Sequence, residues 1–151
     1  MKRLVPDDFE IPMGFQTDVM KARMLTMADA VKDHEAVIEA AGWLPGKFCP
    51  DTWFKEGAAL TLLENQWDLA WHEEEWAGRK SFVYTVMTPD ESRTLGCFYI
   101  LPHDKNGHDA VVYIWVRKSE FDKGLDPVLE SEVRTFMTAW PFKKVLYYNR
   151  G

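Results

Sequence analysis

The sequence has 151 residues, of which 46% are hydrophobic and 14% aromatic, and its formal net charge is −6. This composition predicts a single globular domain over residues 1–151 with a substantial core. The acidic charge argues against nucleic acids and anionic membranes as partners, because both require clustered Lys and Arg. No segment approaches the roughly 20 apolar residues of a membrane span, so we expect a cytoplasmic protein.

Two cysteines, Cys49 and Cys97, lie far apart in the sequence. They form no CxxC motif, and no histidine stands at a spacing typical of zinc ligands. The pattern favours two reduced thiols and no metal site, and a single disulfide is the alternative.

The N-terminal part predicts an extended arm, a short strand and a helix. Residues 1–18 contain two prolines and a glycine, which is typical of an arm lying over the domain or of a partly ordered tail. A strand is expected at 21–25. A helix then begins near Thr26, where Asp29 completes a capping-box pattern, and it ends before Gly42.

The apolar pattern of this first helix predicts which side faces the core. His34 falls on that side, where a histidine with satisfied hydrogen bonds is expected rather than a catalytic or metal-binding one. The predicted buried stripe is Met27, Ala30, Val31, His34, Ile38 and Ala41, and the residues predicted to face away are Lys32, Asp33, Glu35 and Glu39.

A second, longer helix is predicted over 52–77, and it has apolar residues on two sides. One stripe comprises Leu60, Leu63, Trp67, Ala70 and Trp71. Leu62, Leu69 and Trp76 lie almost opposite. Either the helix is sandwiched within the fold, or this second side forms a homodimer interface.

Three β-rich segments follow between residues 81 and 116. The Pro89 turn separates the first two, and a polar loop over 102–109 separates the last two, which predicts an antiparallel meander. The segments are apolar on both alternating faces. We therefore expect helices to cover both sides of this sheet.

The last elements predict a parallel crossover. Asp126 as N-cap and Pro127 in the first turn indicate a helix that ends at Pro141, and a short strand follows over 144–148. Because a helix separates this strand from the one at 111–116, the two should be parallel. The fold class expected is α+β, a mixed, mostly antiparallel twisted sheet with helices on both faces.

This element order, with the strand segments 82–86, 95–100 and 113–116, resembles the GNAT superfamily of acyl-CoA-dependent N-acetyltransferases. The resemblance covers roughly residues 21–148. It implies a GNAT-like fold, acetyl-CoA as cofactor, and a small-molecule amine or protein amine as substrate.

The resemblance also implies a cofactor site. In the family, the pantetheine arm lies in a gap between the two parallel strands, here 111–116 and 144–148, and a glycine-rich loop binds the pyrophosphate. Only Gly124 matches that loop pattern, and Asp126 places a carboxylate where phosphates would lie; a structural helix with a good cap is the alternative. The implied cofactor-binding residues are Ile114, Trp115, Val116, Arg117, Lys118, Lys123 and Gly124.

Candidate catalytic residues follow from the same resemblance. Tyr147 and Tyr148 are candidates for the acid that protonates the leaving thiolate. Asp109 is the candidate base that takes the amine proton, with Glu73 and Glu75 as weaker candidates. Family members usually continue beyond this point into a further helix and two strands. The sequence leaves two functions open: an N-acetyltransferase, or a non-catalytic ligand-binding or protein-interaction module on the same scaffold.

Overall fold

A computed structural model describes residues 3–54 and 57–151. Six strands form one sheet in the order β1 to β6, and all neighbours are antiparallel except β5 and β6, which are parallel. The predicted mixed, mostly antiparallel α+β fold is therefore confirmed, including the meander and the parallel crossover. The strands are β1 Gly14–Gln16, β2 Lys21–Met24, β3 Phe82–Met87, β4 Thr94–Pro102, β5 Ala110–Val116 and β6 Val145–Tyr147.

Helices cover both faces of the sheet. They are α1 Ala30–Ala41, α2 Leu62–Ala77, α3 Lys118–Asp122 and α4 Leu125–Met137, with 3-10 turns at Met27–Asp29 and Gly57–Ala59. In the described part of the chain, no helix has the length and apolar character that crossing a bilayer requires.

Alternation along the strands divides the core into two layers. Phe82, Phe98 and Ile114 point to one face, where they pack with Leu129 and Val133 of α4. On the other face lies a layer that α1 and α2 cover, and it contains Val83, Cys97, Tyr99, Trp115, Ala36, Val37, Ala40 and Leu69. Cys49 and Cys97 are both buried free thiols.

Helix α1 is rotated relative to the prediction. Val31, predicted to be buried, is 66% exposed, whereas Asp33, predicted to face away, is 3% exposed. The true buried side follows Ala30, Asp33, Val37 and Ala40. Its alanines present a smooth surface to the sheet, and Asp33 is tolerated because Asn65 donates a hydrogen bond to it.

Helix α2 begins about ten residues later than predicted. Thr61 and Glu64 form the capping box: Thr61 Oγ1 accepts from the Glu64 N–H, and the Glu64 carboxylate accepts from the Thr61 N–H. Residues 43–54, which link α1 to this region and which we call the bridging segment, contain Pro45, Gly46 and Pro50 and form turns instead.

The two apolar sides of α2 are also reversed. Leu69 is 1% exposed, and the ring of Trp76 lies 5.0 Å from the rings of Phe82 and Tyr84. Trp67 and Trp71 are 64% and 60% exposed. On the side that we considered for a homodimer interface, Leu69 and Trp76 are thus used within the fold, whereas Leu62 is 38% exposed.

Helix α4 begins two residues earlier than predicted. Gly124 occupies the N-cap position with φ of 89°, a left-handed conformation that suits glycine. Asp126 lies inside the first turn rather than capping it, because its carboxylate pairs with Arg150.

Candidate functional site

Strands β5 and β6 pair over only three residues. Ala110 to Val112 pair with Val145 to Tyr147, and one further bond joins the Tyr148 N–H to the Val112 carbonyl at 3.0 Å. Beyond this point β6 has ended, while β5 continues to Val116. We call the space beside Ile114 and Val116 past the end of β6 the slot.

Backbone donors of β5 face the slot. The Arg117 N–H donates to the Leu95 carbonyl of the β4 side. Because backbone groups alternate along a strand, the N–H groups of Ile114 and Val116 point away from β4, towards the slot. In the described residues neither of these N–H groups has a hydrogen-bond acceptor. The slot therefore offers two free donors in a row.

The side chain of Arg150 fills the slot. Its Nη2 donates to the Ile114 carbonyl at 2.9 Å, and its guanidinium forms a bidentate pair with Asp126 at 2.8 and 2.9 Å. Glu130 accepts a further bond at 2.8 Å, and the ring of Phe48 lies 3.9 Å below the guanidinium. Burial alone would lower the pKa of Arg150, but these carboxylates raise it above its ordinary value.

Carboxylates of the chain also occupy the helix N-termini near the slot. Glu39 accepts from the Ser119 N–H at 2.6 Å and from Arg117 Nε at 2.5 Å. Burial opposes ionisation of Glu39, but these hydrogen bonds lower its pKa to about 2. Asp126 lies in the first turn of α4, where its carboxylate pairs with Arg150. Once Arg150 leaves the slot, the free N–H donors fit a pantetheine arm, but the helix N-termini where these carboxylates lie do not fit a pyrophosphate.

The predicted cofactor-binding cations are paired within the fold. Arg117 has only 6% of its side chain exposed and is bound by Glu35 and Glu39. Lys118 pairs with Asp122, and Lys123 pairs with Glu120. Trp115 points to the opposite face, where its Nε1 donates to the Tyr99 hydroxyl at 3.0 Å.

Of the predicted catalytic residues, only Tyr148 lies where the strands part, with its ring 4.9 Å from that of Tyr113. Tyr147 is covered by Arg134, 4.0 Å from its ring, and burial raises its pKa. Asp109 lies at the paired end of β5, where it accepts from the Lys143 and Lys144 N–H groups, and its pKa is lowered by these bonds.

The weaker base candidates have structural partners. Glu73 accepts from the Met27 N–H at 2.6 Å, and Glu75 accepts from the Ser81 hydroxyl at 3.1 Å. Glu73 thus links α2 to the 3-10 turn before α1, and Glu75 links it to the residue before β3.

A cavity of about 600 Å³ lies on the other face of the sheet, between α1, α2 and β4. Its walls carry aromatic rings and the polar side chains Asp33 and His72. Sequence reasoning missed this site because it placed Asp33 on the solvent side of α1. The 3-4-3 spacing of Ala30, Asp33, Val37 and Ala40 is the signal that could have placed it inside.

No family model matches the sequence, and no curated protein matches it either. Many solved structures have a similar fold, among them the following three. RimL, the ribosomal L7/L12 alpha-N-protein acetyltransferase in complex with coenzyme A, has a TM-score of 0.63 at 14% identity, covering 85% of this chain and 65% of that one. The ribosomal-protein-S5-alanine acetyltransferase from Vibrio fischeri has a TM-score of 0.62 at 16% identity, covering 83% and 67%.

The third is MccE, the microcin C7 self-immunity acetyltransferase in complex with acetyl-CoA and AMP. Its TM-score is 0.63 at 8% identity, covering 84% of this chain and 67% of that one. The chain thus spans about two thirds of the length of these structures. Likeness at this level of identity concerns architecture, and by that measure the chain has the GNAT acetyltransferase fold.

Proposed function

We propose that this protein is an N-acetyltransferase that transfers an acetyl group from acetyl-CoA to an amine. One observation carries the proposal: β5 continues past the end of β6 and leaves the N–H groups of Ile114 and Val116 free at its edge. The similarity to acetyltransferases, two of them in complex with CoA or acetyl-CoA, supports it.

In this function the cofactor supplies the acetyl group as a thioester, and the protein chain positions the cofactor. The free N–H groups of β5 hold an extended amide chain in line, as a further strand would. In this proposal Tyr148, whose ring lies 4.9 Å from that of Tyr113 where the strands part, protonates the leaving thiolate. The amine itself is not identified by these residues.

Binding of the cofactor requires Arg150 to leave the slot. The guanidinium is 3% exposed and has Asp126, Glu130 and the Ile114 carbonyl as partners, so its displacement opposes binding. We therefore expect the wild-type protein to bind acetyl-CoA weakly, and a variant without the Arg150–Asp126 pair to bind it more tightly.

Thermal unfolding with and without about 1 mM acetyl-CoA tests this, because a ligand selective for the native state raises the apparent stability. The informative variant is Arg150→Ala with Asp126→Asn, which empties the slot without leaving a buried carboxylate. The matched control is Arg23→Ala with Asp29→Asn, a bidentate pair between β2 and the 3-10 turn that precedes α1.

The expected result is a larger rise in Tm for the slot variant than for the wild type, with the control resembling the wild type. If neither the wild type nor the slot variant is stabilised, the acetyltransferase proposal fails. Acetylation of an amine by the slot variant would then also be absent.

The second candidate is a non-catalytic module on the same scaffold. It is favoured by the carboxylate of Glu39, which accepts from the Ser119 N–H at the start of α3, and by the carboxylate of Asp126, which lies in the first turn of α4 paired with Arg150. Under this function Arg150 is a permanent part of the core, and the slot variant loses stability without gaining affinity for acetyl-CoA.

A further inference from the structure

Helix α2 presents an apolar stripe on the side that faces away from the sheet. Leu63, Trp67 and Trp71 recur every four residues, so they lie in one row along the helix. Their exposed fractions are 53%, 64% and 60%, whereas Leu69, on the opposite side, is 1% exposed. We call the surface formed by Leu63, Trp67 and Trp71 the tryptophan face.

The tryptophan face takes no part in the core of the described residues. None of its three side chains belongs to either core layer. Trp67 borders the rim of the cavity, but Leu63 and Trp71 do not line it. Two large aromatic side chains exposed on adjacent turns of one helix are typical of a surface that binds another protein.

Carboxylates border the tryptophan face. Helix α2 carries five acidic residues and no Lys or Arg. Glu64 and Asp68 lie along one flank of the stripe, and Glu74 lies one turn beyond the last tryptophan. All three are exposed, and within residues 3–54 and 57–151 none of them forms an ion pair with a Lys or Arg. The face therefore combines an apolar centre with a negative border.

The negative border selects the occupant. A second copy of the chain would bring these carboxylates against each other, and the net charge of each chain is already −6. An anionic membrane surface is repelled for the same reason. Side chains at four-residue spacing form a ridge that packs into the groove of another helix, and the ridge from Leu63 to Trp71 is about 12 Å long. The complementary partner is thus a helix with an apolar stripe and cations beside it.

We propose that the tryptophan face binds an amphipathic helix of a partner protein, in which Lys or Arg residues border the apolar stripe. The apolar side chains of the partner pack on Trp67 and Trp71. Its cations pair with the three exposed carboxylates and stack on the tryptophan rings. Binding requires neither acetyl-CoA nor displacement of Arg150, so it is independent of the proposed acetyl transfer.

Fluorescence anisotropy with the full chain tests the proposal, using two labelled peptides as probes. The peptide LKKLLKLLKKLLKL forms an amphipathic helix with lysine beside its leucine stripe, and LEELLELLEELLEL has the same leucine pattern with glutamate. The lysine peptide should bind at least about tenfold more tightly, and this preference should shrink between about 0.05 and 0.5 M NaCl because salt screens exposed charges. Equal affinities, or no binding of the lysine peptide at about 100 μM, would overturn the proposal.

A double variant locates the site. Trp67→Ala with Trp71→Ala removes both rings and keeps every charge, so it should weaken binding of the lysine peptide at least about tenfold. Met13→Ala with Val128→Ala is the matched control and should bind as the wild type does, because these side chains are also exposed but lie elsewhere in the fold. Unchanged affinity in the double variant would overturn the assignment, with circular dichroism reporting that the variant is folded.

Sedimentation velocity tests a second copy of the chain as the occupant. We expect the wild type and the double variant to be monomers at the same concentration. A dimeric wild type with a monomeric double variant would overturn the proposal, because a second copy would then cover the tryptophan face.

Discussion

The slot and the cavity treat buried charge in opposite ways. At the slot, the guanidinium of Arg150 and the carboxylate of Asp126 satisfy each other. In the cavity, the described residues bring no cation to Asp33. A charge whose partners are all within the chain is part of the architecture, whereas a buried charge facing open space is suited to a partner from outside.

Helix α2 forms one wall of the cavity, so its orientation is the first feature of the comparison to test. Trp76→Glu places a carboxylate against Phe82 and Tyr84, and it should lower the free energy of unfolding by about 4 kcal/mol. Trp71→Glu, on the exposed side, should change it by less than about 0.5 kcal/mol. Urea unfolding measures both.

The reverse ranking would mean that α2 packs through its other side. A Trp76→Glu variant of unchanged stability but smaller hydrodynamic size would restore the homodimer interface as the role of this side.

The second prediction concerns Arg117, which the family resemblance assigned to cofactor binding. Arg117→Met removes the side-chain donor of the Thr94 carbonyl and the cation that pairs with Glu39, and it should cost roughly 3 kcal/mol in urea unfolding. Lys118→Met is the control, since its exposed pair with Asp122 contributes less than about 1 kcal/mol. A loss no larger than the control's would show that Arg117 is available for a ligand.

The third prediction is a pH dependence that originates in the cavity. Burial raises the pKa of Asp33 from 3.8 to about 6, with Asp68 and Asp29 acting in the same direction and His72 opposing them. The folded state thus holds this proton more tightly than the unfolded state. The stabilisation that this proton contributes is fully present below about pH 4. It is lost as the pH rises through 6, and the free energy of unfolding falls by about 3 kcal/mol at most.

Comparison with Asp33→Asn isolates this effect. The variant should gain stability relative to the wild type between about pH 4 and pH 7, measured by urea unfolding at a series of pH values. Parallel curves for the two proteins would mean that Asp33 is solvated or paired in solution.

The sequence carried enough information for the sheet. The Val, Ile, Tyr and Phe residues of β3, β4 and β5 alternate on both faces, and their turns contain Pro and Gly, so local preference and burial indicated the same structure. The parallel β6 followed from the intervening helix. Register then predicts which N–H groups of β5 lack partners, including those of Ile114 and Val116.

The helices and the two sites depended on contacts that no local pattern encodes. Asp33 was assigned to the solvent side because carboxylates are usually exposed, but Asn65, 32 residues away, makes its burial tolerable. Asp126 was expected to obstruct phosphates as a helix cap. Its carboxylate lies in the first turn of α4, but there it pairs with Arg150, 24 residues later in the chain, instead of capping the helix.

The bridging segment touches both regions at once. Phe48 stacks under Arg150, and the Lys47 carbonyl accepts from Asn149, while Trp53 and Phe54 form a wall of the cavity. Departure of Arg150 from one end therefore removes support from the aromatic wall at the other. A molecule in the cavity that immobilises Trp53 would favour the position of Arg150 inside the slot. By thermodynamic reciprocity, displacement of Arg150 would weaken the binding of that molecule by the same factor. The structure therefore predicts that binding in the slot and binding in the cavity weaken each other, and that the bridging segment transmits this effect.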